Sequence, residues 1–181
     1  MNKKGFIMLV VIALSVFILP LGIKAQSNKD YEKLMSESKK TKANFIKTDP
    51  NMSELFASSQ GYVIFPKNGK GGLIIGGSGG HGVVYEKGKS IGTAGMGQVT
   101  VGAQVGGESY SEIIFFESKE ALDRFKDSKV EFSSQVSAVA LKSGVSKDAK
   151  YADGVAVFTQ DLSGLMAEAT VGGQKFTYKP L

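Results

Sequence analysis

Residues 69–107 read GKGGLIIGGSGGHGVVYEKGKSIGTAGMGQVTVGAQVGG, and this stretch decides the fold class. It contains 15 of the 23 glycines in the chain, separated by short apolar runs such as residues 73–75 and 83–85. Glycine loses more backbone freedom on folding than any other residue and offers no side chain to pack, so it is costly inside a strand. The stretch therefore predicts a tightly curved β-structure in which the backbone approaches another backbone, or a ligand, closely.

Strands are predicted on both sides of this stretch as well as within it. They cover residues 61–65, 72–78, 82–86, 90–95, 98–106, 109–117, 130–141, 155–159, 165–171 and 174–179. Pro66 is expected to end the first strand, a turn is expected at Lys87-Gly88, and a hairpin is expected at Gly172-Gly173. Because the connections are too short for parallel crossovers, we expect a mostly antiparallel sheet.

Three helices are predicted outside the strands. Residues 28–47 have an amphipathic pattern, with apolar side chains on one face and lysines on the other, and Lys42 interrupts the apolar face. A short helix is expected at residues 51–58, with Asp49 as its cap, and a third is expected at residues 118–127. The predicted fold class is therefore α+β: a glycine-rich, mostly antiparallel β barrel or sandwich with two N-terminal helices and one inserted helix.

The first 25 residues have the layout of a secretory signal peptide. Lys3 and Lys4 precede an almost uncharged apolar run over residues 6–21, and Ala25 suits cleavage before Gln26. The apolar run is slightly short for a membrane span, which needs about 20 apolar residues. Cleavage is the prediction, and retention of the segment as an N-terminal anchor is the alternative.

Residues 26–181 are expected to form one exported domain, periplasmic or peripherally associated with the cell envelope. It divides into a helical segment over residues 26–58 and a β core over residues 59–181. Residues 26–47 carry six lysines and three acidic residues, whereas residues 48–181 carry 13 basic and 14 acidic groups. Because a nucleic-acid-binding protein needs a broad basic face, we expect no nucleic-acid partner.

The residue types needed for catalysis are sparse. The chain has no cysteine and one histidine, which excludes thiol catalysis and leaves His81 without partners at metal-binding spacing. Glu108, Glu112 and Glu117 lie near one another, but no tryptophan is present to bind a sugar, so we interpret them as a solvated strand face. We predict no enzymatic activity, no cofactor and no metal.

Gly77, Gly79 and Gly82 match the dinucleotide-binding fingerprint GxGxxG. That fingerprint needs a helix after its last glycine, whereas Val83 begins a strand-like run. A glycine-rich bend between strands is our interpretation. A nest of successive backbone N–H groups that binds a lipid phosphate is the alternative.

Several motifs resemble the SYLF domain, a lipid-binding module found in bacteria and eukaryotes. They are GYVIFP at 61–66, the segment 70–85, GAQVGG at 102–107, IIFF at 113–116 with ALDRF at 121–125, VAVF at 155–158 and GLMA at 164–167. The resemblance covers essentially residues 27–181. It implies a glycine-rich antiparallel β core with N-terminal helices, and it implies binding of anionic head groups.

The predicted function is non-enzymatic binding of an anionic phospholipid or membrane surface. Lysines attract the head groups, and the apolar face of the helix at residues 28–47 either inserts into the interface or packs on the β core. The alternative function is that of a structural or envelope-stress protein, which binds an envelope protein through its β core. The predicted lipid-binding residues are Lys29, Lys33, Lys39, Lys40, Lys47, Lys67, Lys70, Gly77, Gly79 and Gly80.

Overall fold

The computed structural model describes residues 21–71, 75–101, 108–128, 138–162 and 174–181. Two compact units make up the chain, residues 1–33 and 34–181, and the strands among the described residues belong to the second. The elements in chain order are α1 (Leu21–Thr48), α2 (Met52–Ser58), β1 (Gly61–Gly71), β2 (Ile75–Glu86), β3 (Lys89–Val101), β4 (Glu108–Phe116), α3 (Lys119–Lys126), β5 (Ala138–Ala140), a 3-10 helix (Val145–Asp148), β6 (Val155–Asp161) and β7 (Gln174–Pro180).

The seven strands form one open sheet in the order β5-β6-β4-β1-β2-β3-β7. Every neighbouring pair is antiparallel except β5 and β6, which are parallel. The α+β class and the mostly antiparallel sheet are therefore confirmed, whereas closure into a barrel or sandwich is not. The parallel pair was not predicted; it is possible because residues 141–154 form a connection long enough for a crossover.

Strand β1 is longer than the strand predicted there, because Pro66 does not end it. The strand continues to Gly71 through a register shift between Phe65 and Asn68 in its pairing with β4. Proline lacks a backbone N–H to donate, and an irregularity of this kind is a place where a strand tolerates it. The hydroxyl of Ser111 donates to the carbonyl oxygen of Pro66 at 2.7 Å, so the carbonyl is still satisfied.

Strands β2 and β3 each replace two of the predicted strands. Gly79 pairs with Gly97 on β3 and with Gly69 on β1, so pairing continues through the segment where a glycine-rich bend was expected. That interpretation was wrong, because extended glycines keep the ladder intact. Positive φ occurs instead at the predicted turn, where Lys87 has φ 47° and Gly88 has φ 78°.

Helices cover both faces of the sheet. On the α3 face, the Phe125 ring lies 5.0 Å from the Phe116 ring and 5.2 Å from the Phe176 ring, measured between centroids. On the α1 face, Phe45 and Phe56 belong to a second core cluster. Strand β4 supplies residues to both clusters and pairs on both sides, so the prediction of a central strand is confirmed.

The other predicted elements fall partly outside the described residues. Strand β5 is the described end of the strand predicted at residues 130–141. The strand predicted at 165–171 and the hairpin turn at Gly172-Gly173 lie outside the described residues, as does the apolar run at 6–20 of the predicted signal peptide. Helix α1 begins at Leu21, seven positions before the predicted start at residue 28.

Candidate functional site

Helix α1 exposes the lysines that were predicted to bind lipid. Lys39, Lys40 and Lys47 are exposed in the second unit, and Lys29 and Lys33 are exposed in residues 1–33. Within the second unit, the apolar side of the helix packs on the α1 face of the sheet. The apolar side chains involved there are Leu34, Met35, Phe45 and Ile46.

The apolar side of α1 thus packs against the sheet in this structure and is not available for insertion into a membrane. Phe45 is 0% exposed, which leaves its ring inaccessible to acyl chains in this conformation. The side that remains available to an external partner is the polar one, with its lysines. An electrostatic contact fits this geometry better than insertion of the helix.

Lys42 lies on the packed side of α1 and explains the interruption of the apolar pattern. Its Nζ donates to the Tyr62 hydroxyl at 3.1 Å and lies 4.3 Å from the centroid of the Phe56 ring. Such a cation–π contact stabilises a partly buried ammonium group. Burial lowers the pKa of Lys42 through desolvation. A second polar contact joins the helix to the sheet, since Ser38 Oγ lies 2.9 Å from the Tyr85 hydroxyl.

Asp49 connects the end of α1 to the 3-10 helix. Its Oδ2 accepts from the Ser146 N–H at 2.8 Å and from the Ser146 hydroxyl at 2.6 Å, and its Oδ1 accepts from the Asn51 N–H at 3.1 Å. Desolvation raises the pKa of Asp49, but the hydrogen bonds from Ser146, Asn51 and Gly144 outweigh it and bring that pKa to about 2. The prediction of Asp49 as the cap of α2 was wrong, because Asn51 occupies that position. Asp49 instead links the end of α1 to Ser146 through hydrogen bonds.

The α1 face also has an open strip on β2, β3 and β7. His81, Gly95 and Thr177 pair across the three strands, and so do Gly79, Gly97 and Lys175. Directly paired residues share a face of the sheet, as do alternate residues along a strand, so these six residues lie on one face. Together with Gly80 and Met96 they line an open groove of ≈ 570 Å³. We call this group the open strip: Gly79, His81, Gly95, Gly97, Lys175 and Thr177.

Two kinds of glycine occur in these strands. A Cβ added to Gly80 would lie 1.9 Å from Asn68 Oδ1, so close packing on the α3 face requires glycine there. A Cβ added to Gly97 would meet nothing within 4 Å, and one on Gly79 would meet only a backbone oxygen of β3 at 3.4 Å. Steric need does not explain these two glycines of the open strip, although glycine costs strand stability there. Their effect is to leave the part of the groove between His81, Lys175 and Thr177 without side chains.

The remaining predicted site residues lie on β1 and β2. Lys67 is exposed near the irregularity in β1, and the backbone of Lys70 pairs with Ser78, while the Lys70 side chain lies outside the description. Gly77 pairs with Gly71 on β1 and with Val99 on β3. The structure therefore brings Gly79 and Gly80 to the groove, whereas the α1 lysines lie on a separate element.

The backbone of β2 does not form the anion-binding nest that was the alternative interpretation of its glycines. A nest needs successive N–H groups from residues in turn conformations. Gly77, Gly79 and Gly80 are instead extended and paired with strands on both sides. Among the described glycines, positive φ occurs at Gly88, Gly144 and Gly154.

Sequence analysis missed a buried polar cluster on the α3 face. Asn68, Glu112 and Gln174 are each 0% exposed, and Gln174 Nε2 donates to Glu112 Oε2 at 2.9 Å. Desolvation raises the pKa of Glu112 to about 7 against the lowering effect of that hydrogen bond. The interpretation of Glu112 as part of a solvated strand face was wrong. The signal was available, because Glu112 alternates with Tyr110 and Ile114 along a central strand.

The described residues contain no group of three or more histidines, aspartates or glutamates that could hold a metal ion. His81 is exposed in the open strip. Within the same described ranges, no helix combines the length and the apolar character needed to cross a bilayer.

Comparison with known proteins identifies a matching protein family. Residues 97–179, which include β4, α3, β6 and most of β7, match the family model Ysc84, described as "Las17-binding protein actin regulator". This part of the chain belongs to the Ysc84 family, the SYLF domain family. The resemblance identified from the sequence motifs is thereby confirmed. The family is one of binding domains.

A curated relative points to the same family. Beta cell expansion factor A of Aeromonas veronii is 31% identical over 129 residues, which cover 70% of this chain. The chain spans about half the length of that relative, 49%.

Proposed function

We propose that this protein binds an anionic lipid surface and catalyses no reaction. The observation that carries the proposal is the groove of the open strip. No neighbouring atom requires Gly79 or Gly97 to be glycine, and Lys175 lies at the border of the groove. The glycine backbone between the side chains of His81, Lys175 and Thr177 leaves room for an apolar segment of a lipid, and the ammonium group of Lys175 favours an anionic head group. Family membership supports a binding role in general.

The exposed lysines of α1 supply long-range attraction in this proposal. Each lysine near an anionic bilayer surface contributes about 1 kcal/mol, and the attraction falls off over a Debye length of about 10 Å at 0.1 M salt. The apolar side of α1 takes no part, because it packs on the sheet. Lipid binding should therefore weaken with salt without any requirement that α1 leave the core.

The test places a side chain in the groove. Gly97→Gln fills the groove of the open strip, where an added Cβ meets nothing within 4 Å, and Ala57→Gln places the same side chain at an exposed position of α2 that does not line the groove. We expect Gly97→Gln to weaken co-sedimentation with vesicles of phosphatidylglycerol and phosphatidylcholine by about fivefold, equivalent to about 1 kcal/mol. We expect Ala57→Gln to bind as the unmodified protein does.

Equal binding by both variants would remove the groove from the proposal. No binding of the unmodified protein to anionic vesicles at low salt would end the proposal altogether. Export to the periplasm or the envelope belongs to the same proposal and is tested by cell fractionation of a tagged chain.

A protein partner is the second candidate. The words "Las17-binding protein actin regulator" describe the matching family and favour a protein ligand. For this chain, the partner would be an envelope protein bound through the β core. Titration of the purified protein against vesicles and against envelope extracts separates the two, with Gly97→Gln in both arms to show whether they use the same groove.

A further inference from the structure

The polar cluster of Asn68, Glu112 and Gln174 has unmet hydrogen-bonding capacity inside the protein. Among the described residues, four of its buried atoms have no partner: both polar side-chain atoms of Asn68, Oε1 of Glu112 and Oε1 of Gln174. A buried polar atom without a partner costs about 1–3 kcal/mol, and native structures contain few of them. A bound group that satisfies these atoms would explain why the cluster exists.

The sheet brings the three side chains to one region of the α3 face. Asn68 pairs with Tyr110, and Glu112 lies two residues further along β4, so Asn68 and Glu112 are diagonal neighbours within reach of long side chains. Gln174 comes from β7, which three strands separate from β4 in the sheet order. Its hydrogen bond to Glu112 at 2.9 Å shows that the sheet curves enough to bring β7 close to β4 on this face.

Three of the four unpartnered atoms are acceptors, and the fourth, Nδ2 of Asn68, is a donor. Glu112, Gln174 and Asn68 each offer one oxygen without a partner. Carboxylate and amide oxygens suit hard cations, and three acceptors also match the three donors of a primary ammonium group. A ligand with positive charge therefore fits the chemistry better than an anion or an apolar group.

The charge of Glu112 determines how many positive charges the ligand should carry. Above its raised pKa of about 7, Glu112 supplies one negative charge, and no lysine or arginine makes a salt bridge to it among the side chains that the structure describes. The surrounding core includes Phe65, Met96 and Phe176, so an unbalanced charge would be costly there. One positive charge neutralises the site, whereas a divalent ion would leave a net charge of +1.

We infer that the cluster of Asn68, Glu112 and Gln174 is a buried site for a single positive charge. The charge comes either from an alkali ion or from the primary ammonium group of a small ligand. The site is independent of the lipid-binding proposal, because it lies on the α3 face and the open strip lies on the α1 face.

Thermal unfolding of the purified protein tests the site. At about pH 8, where Glu112 is ionised, the protein is titrated with sodium chloride, potassium chloride or ethanolamine hydrochloride, and tetramethylammonium chloride at equal ionic strength serves as the reference. At about fifteen times the dissociation constant, we expect Tm to rise by about 4 °C above the reference. A rise with an alkali salt assigns the site to an ion, and a rise with ethanolamine alone assigns it to an ammonium group.

Two variants separate specific binding from general salt effects. Glu112→Gln keeps the shape and removes the charge, so we expect it to abolish the rise, whereas Glu117→Gln changes an exposed carboxylate and should keep it. Asn68→Ala removes one acceptor oxygen and should weaken binding by about fivefold; it replaces Glu112→Gln as the test if that variant does not fold. The inference fails if no salt raises Tm by more than about 1 °C over the reference, or if the rise persists in both cluster variants.

Discussion

Replacing Asp49 by asparagine should destabilise the protein by about 2 kcal/mol at neutral pH. The carboxylate accepts hydrogen bonds from Ser146 on one oxygen and from Asn51 on the other, and an asparagine has only one oxygen to offer. The pKa of Asp49 falls from 3.8 to about 2 in the folded protein. At 1.36 kcal/mol per pKa unit, that difference corresponds to about 2 kcal/mol.

The lowered pKa also predicts how the effect of Asp49→Asn on the free energy of unfolding changes with pH. Because the pKa of Asp49 is lowered on folding, its stabilisation is fully present above pH 3.8 and is lost as the pH falls towards about 2. The difference between the unmodified protein and Asp49→Asn should therefore be constant from pH 5 to 7 and should shrink below about pH 4.

Urea unfolding followed by circular dichroism at pH 7, 5 and 2.5 measures this difference. Asp148→Asn is the matched control, because Asp148 is an exposed aspartate in the same 3-10 helix and should change stability by less than about 0.5 kcal/mol. A loss below about 0.5 kcal/mol in Asp49→Asn, or a loss that does not shrink in acid, would refute the reasoning.

Three further predictions follow from the structure. Neutralising Lys39, Lys40 and Lys47 of α1 together should weaken binding to anionic vesicles by roughly 100-fold at low salt, at about 1 kcal/mol per lysine. A co-sedimentation assay compares this variant with a control variant in which the exposed Lys142, Lys147 and Lys150 are neutralised. The free energy of unfolding, measured in tetramethylammonium buffer without other cations, should fall by about 3 kcal/mol as the pH rises from 4.5 through about 7. The reason is that folding raises the pKa of Glu112, so the folded protein holds its proton more tightly than the unfolded chain does. Glu112→Gln should remove this fall. Phe125→Ala should cost about 3–5 kcal/mol in urea unfolding, since its ring is 0% exposed between Phe116 and Phe176, whereas Val139→Ala, at a residue that is 36% exposed, should be nearly neutral.

Local patterns predicted the elements of this fold better than their extents. The apolar run at residues 113–116 and the turn at Lys87-Gly88 are local signals, and the structure confirms both. Pro66 and the glycines around residue 80 were misinterpreted as strand ends because their effect depends on the neighbouring strand. A shift of register accommodates the proline, and pairing on both sides keeps the glycines extended.

The sites show the same limit. The exposure of the α1 lysines follows from the helical period, so their position could be predicted from the sequence. The alternation of Glu112 with Tyr110 and Ile114 indicates its burial, but its hydrogen bond to Gln174, 62 residues away, is contained in no local pattern. Whether a glycine is required sterically or leaves an open groove depends on its neighbours across the sheet, so composition alone did not separate Gly80 from Gly97.

The packing of α1 decides between two ways of meeting a membrane. Insertion of its apolar side would expose the place now filled by Phe45, and removal of a buried phenylalanine from a core costs about 3–5 kcal/mol. It would also break the contacts of Ser38 with Tyr85 and of Lys42 with Tyr62. The exposed lysines need no such rearrangement, because they already face outward while the helix is docked. The proposed lipid binding therefore needs no rearrangement of the folded protein if it uses the charge on α1 and the groove of the open strip, whereas insertion of α1 would need one.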